Sequence, residues 1–120
     1  MKIVFVVDDN ATNLVTAKNA LDGTYKTYAM SSAEKMFQLL EKITPDLILL
    51  DIEMPEMDGF EAIKILKSNP VTKDIPVVFL TASTVSGDRL EGLCLGANDY
   101  ISKPFQPALL LQRINRALSN

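Results

Sequence analysis

An α/β fold, a five-stranded parallel sheet with helices on both faces, is predicted by two features of the chain. Short apolar runs alternate with helical patterns along its length. The runs that read as central strands each end in a polar or charged group. Ile3–Val7 ends in Asp8-Asp9, and the run from Leu47 to Leu50 ends in Asp51. A third run ends at Thr81, and a short fourth ends at Ser102-Lys103-Pro104.

Taken in order, residues 2–7 form the first strand. A helix over Ala11–Leu21 follows, with Leu14, Ala17, Lys18 and Leu21 at helical spacing and Gly23 as its stop. Residues 25–30 make a weaker, more polar strand suited to a sheet edge. Ser31-Ser32-Ala33-Glu34 has capping-box spacing and opens a helix with Ala33, Met36, Phe37 and Leu40 on one face. Pro45 breaks that helix before the fully apolar third strand, residues 46–50. Asp58-Gly59 opens a third helix bearing Phe60, Ile63, Ile65 and Leu66, which Asn69-Pro70 ends. Residues 76–80 form the fourth strand, and the next helix carries Leu90, Leu93, Cys94 and Ala97 on one stripe. Asp99–Ser102 is a short fifth strand. The last helix starts near Pro107 and buries Leu110, Ile114, Ala117 and Leu118.

Helices on both faces require the strand order to reverse. The doubly wound, flavodoxin-like order 2-1-3-4-5 places the reversal between the first and third strands, which is where a ligand crevice forms. Asp8-Asp9 and Asp51 flank that point.

The chain of 120 residues fits one domain, residues 1–120, with 48% hydrophobic residues to build a core. A net charge of −3 without a basic run argues against a nucleic-acid surface. The apolar runs are far too short to span a membrane, and the N-terminus reads as a strand rather than a signal peptide. One cysteine, Cys94, rules out an internal disulfide and fits the reducing cytoplasm. With no histidine, transition-metal sites are disfavoured and oxygen ligands for a hard cation remain.

All strand ends of a parallel sheet share one edge, so three carboxylates, a hydroxyl and an ammonium converge there. Asp8-Asp9 alone reads equally well as a solvated turn before a helix start at Asn10. Asp51 is harder to dismiss, since it follows four apolar residues directly. Carboxylates held at about 4 Å repel by roughly 4 kcal/mol per pair at an effective dielectric near 20. Either some protonate or a cation binds, and a cation that retains waters describes Mg²⁺ better than Ca²⁺. Thr81 alone is a strand-end hydroxyl and Lys103 alone a surface cation. Beside the aspartates, Lys103 reads either as a plain ion pair or as a group that could hold a phosphoryl oxygen once Asp51 is modified, with Thr81 able to hold another. Pro104 makes the preceding peptide a candidate for the cis form, which would aim Lys103 into the crevice. The loop from Met54-Pro55 to Asp58-Gly59 reads as a rigid connector that fixes Asp51 and presents the Glu53 carbonyl. Tyr100 is either core or an aromatic able to turn inward and outward.

In their order and spacing, Asp8-Asp9, Asp51 with Met54-Pro55 and Asp58-Gly59, Thr81-Ala82, and Lys103-Pro104-Phe105 resemble the receiver domain of bacterial two-component response regulators. The resemblance spans essentially the whole chain. It implies a signalling switch rather than an enzyme, one that assists its own phosphoryl transfer and dephosphorylation. Asp51 would be the phosphoacceptor, served by the phosphohistidine of a sensor kinase or histidine phosphotransfer protein. Asp9, Asp51 and the Glu53 carbonyl would bind Mg²⁺ directly, and Asp8 through water. Lys103, after a cis Pro104 bond, would contact the phosphoryl group. Thr81 and Tyr100 would form the switch, and the small Ala82 would leave access to Asp51.

The output surface implied is the fourth helix, fifth strand and last helix, facing an effector domain or protein, with a phosphorylation-dependent dimer as a further outcome. The match to the ion-paired dimers of the winged-helix DNA-binding class is incomplete. Asp99 and Arg113 fit one pair, but Arg89 faces Leu109, and Cys94 and Asn115 replace the charges of the third. Leu109 and Leu95 both fall off their helices' buried stripes, which suggests an apolar contact instead. The alternative function is a Mg²⁺-dependent aspartyl-phosphate phosphatase or phosphotransferase. Such enzymes want a second Asp two residues after the nucleophile, where this chain has Glu53. A receiver-like module that takes no phosphate would be expected to lack Asp51 or Lys103, and both are present.

Overall fold

Residues 1–81 and 95–119 are described by the computed structural model. Five parallel strands, β1 (Ile3–Val7), β2 (Lys26–Met30), β3 (Leu47–Asp51), β4 (Val77–Thr81) and β5 (Asp99–Ser102), form one sheet in the order β2-β1-β3-β4-β5. The described helices are α1 (Ala11–Leu21), α2 (Ala33–Leu40), α3 (Gly59–Ser68) and α4 (Pro107–Leu118). The doubly wound fold expected from the sequence is the fold observed. The helix expected around Leu90–Cys94 lies outside the described residues. Ala97 is buried, but it follows a turn at Leu95-Gly96 rather than lying on a helix.

The alternation along each strand divides the core in two. Phe5, Val7, Ile48, Leu50, Val77 and Phe79 face one side, where Met36 of α2 and Ile63 and Leu66 of α3 cover them. Val4, Val6, Leu47, Leu49, Val78 and Leu80 face the other, under Ala17 and Leu21 of α1 and Leu110 and Ile114 of α4. The three central strands are buried on both faces, which explains their continuous apolar runs. Polar β2 is at an edge, as its composition implies.

Local chemistry sets the helix ends. Asn10 caps α1, accepting from Asn13 N–H, and Gly23 past its end has φ +93°. At α2 the capping-box expectation fails. Ser32 rather than Ser31 is the cap, which puts Lys35 instead of Glu34 at the reciprocal position, and Ser31 Oγ accepts from Lys35 Nζ. Asp58 and Glu61 form a true capping box on α3. Ile65, expected on the core stripe of α3, is 43% exposed, because Ala62, Ile63 and Leu66 fill that face. Lys67 Nζ donates to the carbonyls of Lys73 and Ile75, clipping the segment that leads into β4.

Gly59 fixes how closely α3 approaches the strand end. Its N–H donates to Ile52 O at 2.7 Å. A Cβ built there would lie 2.7 Å from both the Asp51 carbonyl oxygen and Ile52 Cα, and 3.1 Å from the Phe79 ring. These are mostly backbone atoms that cannot swing aside. Gly59→Ala should therefore destabilise the domain by about 1–3 kcal/mol, despite alanine's helix-propensity advantage of up to about 1 kcal/mol. Urea unfolding with an unchanged slope and a lowered midpoint is the expected result.

Candidate functional site

The edge formed by the C-terminal ends of β1, β3, β4 and β5 gathers the acidic and basic groups. Asp8 follows β1 and is fully buried; its N–H donates to Met30 O, and its Oδ1 accepts from Asn10 N–H at 2.9 Å. Asp9, next in sequence, is exposed. Asp51 is the last residue of β3, only 1% exposed, and its Oδ1 accepts from Glu53 N–H at 3.3 Å. One carboxylate oxygen from each of Asp8, Asp9 and Asp51 lies within 4.8 Å of the others.

Lys103 enters this cluster from the β5 end. Its Nζ is 2.9 Å from Asp8 Oδ2 and 3.0 Å from Asp51 Oδ1. Its own N–H donates to Thr81 O at 2.7 Å, so the end of β4 helps to place it. The Lys103–Pro104 peptide is cis. Thr81 is buried at the end of β4, one residue past Leu80, the register partner of Asp51. Tyr100 is half-buried on β5, against the core on one side and in an open groove with Leu109 and Arg113 on the other. Ala82 lies outside the described residues.

Among the described residues, electrostatics at this edge are unbalanced, with the three carboxylates facing one ammonium, Lys103. Burial pushes the Asp51 carboxyl up to about 7; the Lys103 hydrogen bond opposes the rise, and the neighbouring Asp8 charge adds to it. For Lys103, burial lowers the pKa, but the close contacts with the Asp8 and Asp51 carboxylates outweigh it, so the net shift is upward. Asp51 Oδ2 is buried without a hydrogen-bond partner among the described residues. Asp8 Oδ2 has its ion contact with Lys103 but no aligned hydrogen bond. All the donors are hard oxygens, two of them under-satisfied, with one exposed carboxylate at the mouth. This set fits a small divalent cation that keeps part of its water shell.

The residues on the output side are partly as expected. Leu109 is 41% exposed, whereas Leu95 is half-buried and packs against the core, so it does not extend an apolar patch. Asp99 takes ion pairs from both Arg113 and Arg116 within the chain, at 3.0 and 3.2 Å. Asn115 accepts a hydrogen bond from Tyr25 OH, which ties α4 to the start of β2. Arg89 and Cys94 lie outside the described residues. Sequence reading did not find the close seat of Gly59 under Asp51, nor the burial of Ile52 and Met54 in the following loop. The Asp58-Gly59 pair at a helix start was the available signal for the first.

The raised Asp51 pKa has a definite consequence for stability. An unfolded carboxyl titrates near 3.8, so between about 4 and 7 the folded chain holds a proton that the unfolded chain has lost. The stability from this group is fully present below pH 4 and is lost as pH rises through 7. In metal-free buffer, Tm should fall between about pH 4 and 7 and level off above that, and Asp51→Asn should flatten the fall. At pH 8 the variant should melt several degrees higher, about 1 kcal/mol corresponding to roughly 4 °C at this size.

Comparison with known proteins agrees with this geometry. The model of the response regulator receiver domain family matches residues 4–115. The chain is 39% identical over 117 residues to the Vibrio cholerae protein named Probable cyclic di-GMP phosphodiesterase, covering 98% of this chain and 26% of that protein. It is 39% identical over 114 residues to the response regulator PleD of Caulobacter vibrioides, covering 92% of this chain and 25% of PleD. It therefore spans about a quarter of the length of these two relatives. Among solved structures, the chemotaxis response regulator CheY4 of Vibrio cholerae superposes with a TM-score of 0.92 at 30% identity, covering 98% of this chain and 99% of that one. The chain belongs to the receiver domain family of two-component response regulators.

Proposed function

We propose that residues 1–120 act as a phosphorylation-driven switch in the cytoplasm, with Asp51 as the phosphoacceptor. The observation that carries this reading is Asp51 Oδ2, a buried carboxylate oxygen with no hydrogen-bond partner among the described residues, at the end of the central strand. Asp8, Asp9 and Lys103 surround it.

The phosphoryl donor is a phosphohistidine on a sensor kinase or histidine phosphotransfer protein. An Asp51 carboxylate oxygen forms a P–O bond while the P–N bond to the imidazole breaks, its electron pair returning to the ring nitrogen. This chemistry depends on positioning and charge neutralisation. Asp9, Asp51 and the Glu53 carbonyl would hold Mg²⁺ directly and Asp8 through water; bound there, it would supply positive charge against the phosphoryl oxygens and favour the ionised form of Asp51. Lys103 Nζ is already 3.0 Å from Asp51 Oδ1, and it contacts a phosphoryl oxygen once Asp51 is modified. The Thr81 hydroxyl contacts another. The new charge then biases Thr81 and Tyr100, and through them the surface of β5, α4 and the segment between β4 and β5. A downstream effector domain or protein reads that surface. Exposed Leu109 and the Asp99 pairing within the chain favour a hetero-contact over an ion-paired homodimer. No described helix is long and apolar enough to cross a membrane.

Mass spectrometry after treatment with acetyl phosphate and Mg²⁺ tests the assignment. A single phosphoryl adduct on Asp51 is expected, and a folded Asp51→Asn protein should carry none. Labelling of that variant to the wild-type extent would refute the assignment. Asp9→Ala should weaken Mg²⁺ binding on the order of tenfold and slow labelling without abolishing it.

Transmission is tested separately. Thr81→Ala should still bind beryllofluoride at Asp51 but fail to shift the Tyr100 resonances. Wild-type shifts around Tyr100 in that variant would sink the proposed coupling.

A further inference from the structure

We propose that the face between α2 and α3 docks a cationic, apolar-anchored segment of a partner protein. This face shares no lining residue with the groove at Tyr100, Leu109 and Arg113, and the proposal is independent of Asp51 taking a phosphoryl group.

Two open grooves meet here. One, about 480 Å³, has Ala33, Phe37, Pro55 and Met57 as its apolar lining. The other, about 400 Å³, is lined by Phe37, Leu40, Ile65 and Val71, among others. Phe37 and Glu41 line both, so the two grooves adjoin beside α2. A single exposed apolar residue carries no meaning. Here Ile65 at 43% and Val71 at 72% are two of the five exposed large apolar side chains among the described residues, and both line the same groove.

Charge selects the occupant. Glu34, Glu41 and Glu56 border the larger groove, and no lysine or arginine lines either groove among the described residues. Lys35 of α2 and Lys42 just past it line a different depression with Met30 and Leu39, which shares only Gln38 with the larger groove. Around α2 and the turn after it, Glu34 and Glu41 thus line the groove while Lys35 and Lys42 line the neighbouring depression. Glu56 is held on the rim by a turn that costs energy. Its φ is +70°, and Met57 N–H donates to Pro55 O at 2.9 Å across it.

Three occupants can be weighed against this pattern. A second copy in a two-fold contact would bring the same glutamates face to face. An anionic membrane would meet repulsion from all three. A segment with apolar anchors and flanking Lys or Arg satisfies both the floor and the rim. The eight residues of α2 make a wall about 12 Å long. That length suits two to three turns of an amphipathic helix with anchors at i, i+3, i+4 and i+7.

The test is an NMR titration of the ¹⁵N-labelled chain with a synthetic helical peptide carrying Leu at those anchor positions and Lys elsewhere. Amide shifts should centre on residues 33–41, 55–57 and 65–71. Affinity should fall at least tenfold for the exposed double variant Glu34→Lys/Glu41→Lys. A peptide with Leu replaced by Ser should also bind at least tenfold more weakly. The proposal is overturned if shifts centre elsewhere, including the Asp8-Asp9-Asp51 edge, or if charge reversal leaves affinity unchanged. Absence of binding at millimolar peptide would overturn it too, as would phosphatidylglycerol vesicles or a second copy of the chain occupying this face in the peptide's place.

Discussion

Lys103 lies between two buried carboxylates, about 3 Å from Asp8 and from Asp51, and a third carboxylate, Asp9, completes the cluster. The rest of the architecture can be understood as the means of holding this unbalanced set. Burying even one unpaired charge is costly, and a pair repays its desolvation only with good geometry and further hydrogen bonds. Here one ammonium serves two carboxylates, so the pairing is incomplete by construction. The remaining deficit appears as a carboxyl displaced toward neutral pH and as a buried oxygen without a hydrogen bond. A site in this condition is receptive to added positive charge.

Holding such a cluster requires a rigid frame, and the central strands supply it. β1, β3 and β4 are buried on both faces, and their side chains interdigitate with helices on each side. The strand ends therefore have little freedom to splay apart and relieve the repulsion. Gly59 adds a second constraint by letting the start of α3 sit against the Asp51 carbonyl. The capping box of Asp58 and Glu61 then fixes the helix at that point. On the far side, the Lys103 N–H bond to Thr81 O joins β5 to β4 just where the ammonium must enter. Strain at the site is thus resisted by packing far from it, which is the usual division between a stable scaffold and a poised site.

The surface shows a different use of charge. Around α2, Glu34 and Glu41 border an apolar groove while Lys35 and Lys42 line a neighbouring depression. On α4 two arginines converge on Asp99 and are consumed within the chain. One face therefore keeps its charge available while another neutralises it internally. This contrast separates the two surfaces by the kind of partner each would accept.

Much of this was determined by the sequence alone. Apolar runs ending in Asp8-Asp9, Asp51, Thr81 and Lys103 specify strands and strand ends, because a two-sided core demands continuous apolar residues and the first polar group marks the exit. The strand order follows from the need to cover both faces. Local capping was less legible: at α2 a one-residue shift moved the cap from Ser31 to Ser32, since neighbouring serines offer equivalent acceptors. Ile65 and Leu95 were misplaced because helical spacing gives a stripe, not its width, and neighbours decide which flank is covered. Only the tertiary structure decided that Asp8 would be buried and Asp9 exposed, and that Lys103 would lie between Asp8 and Asp51. Those outcomes depend on distances between segments far apart in the chain, and residue order carries no measure of such distances until the sheet has closed them.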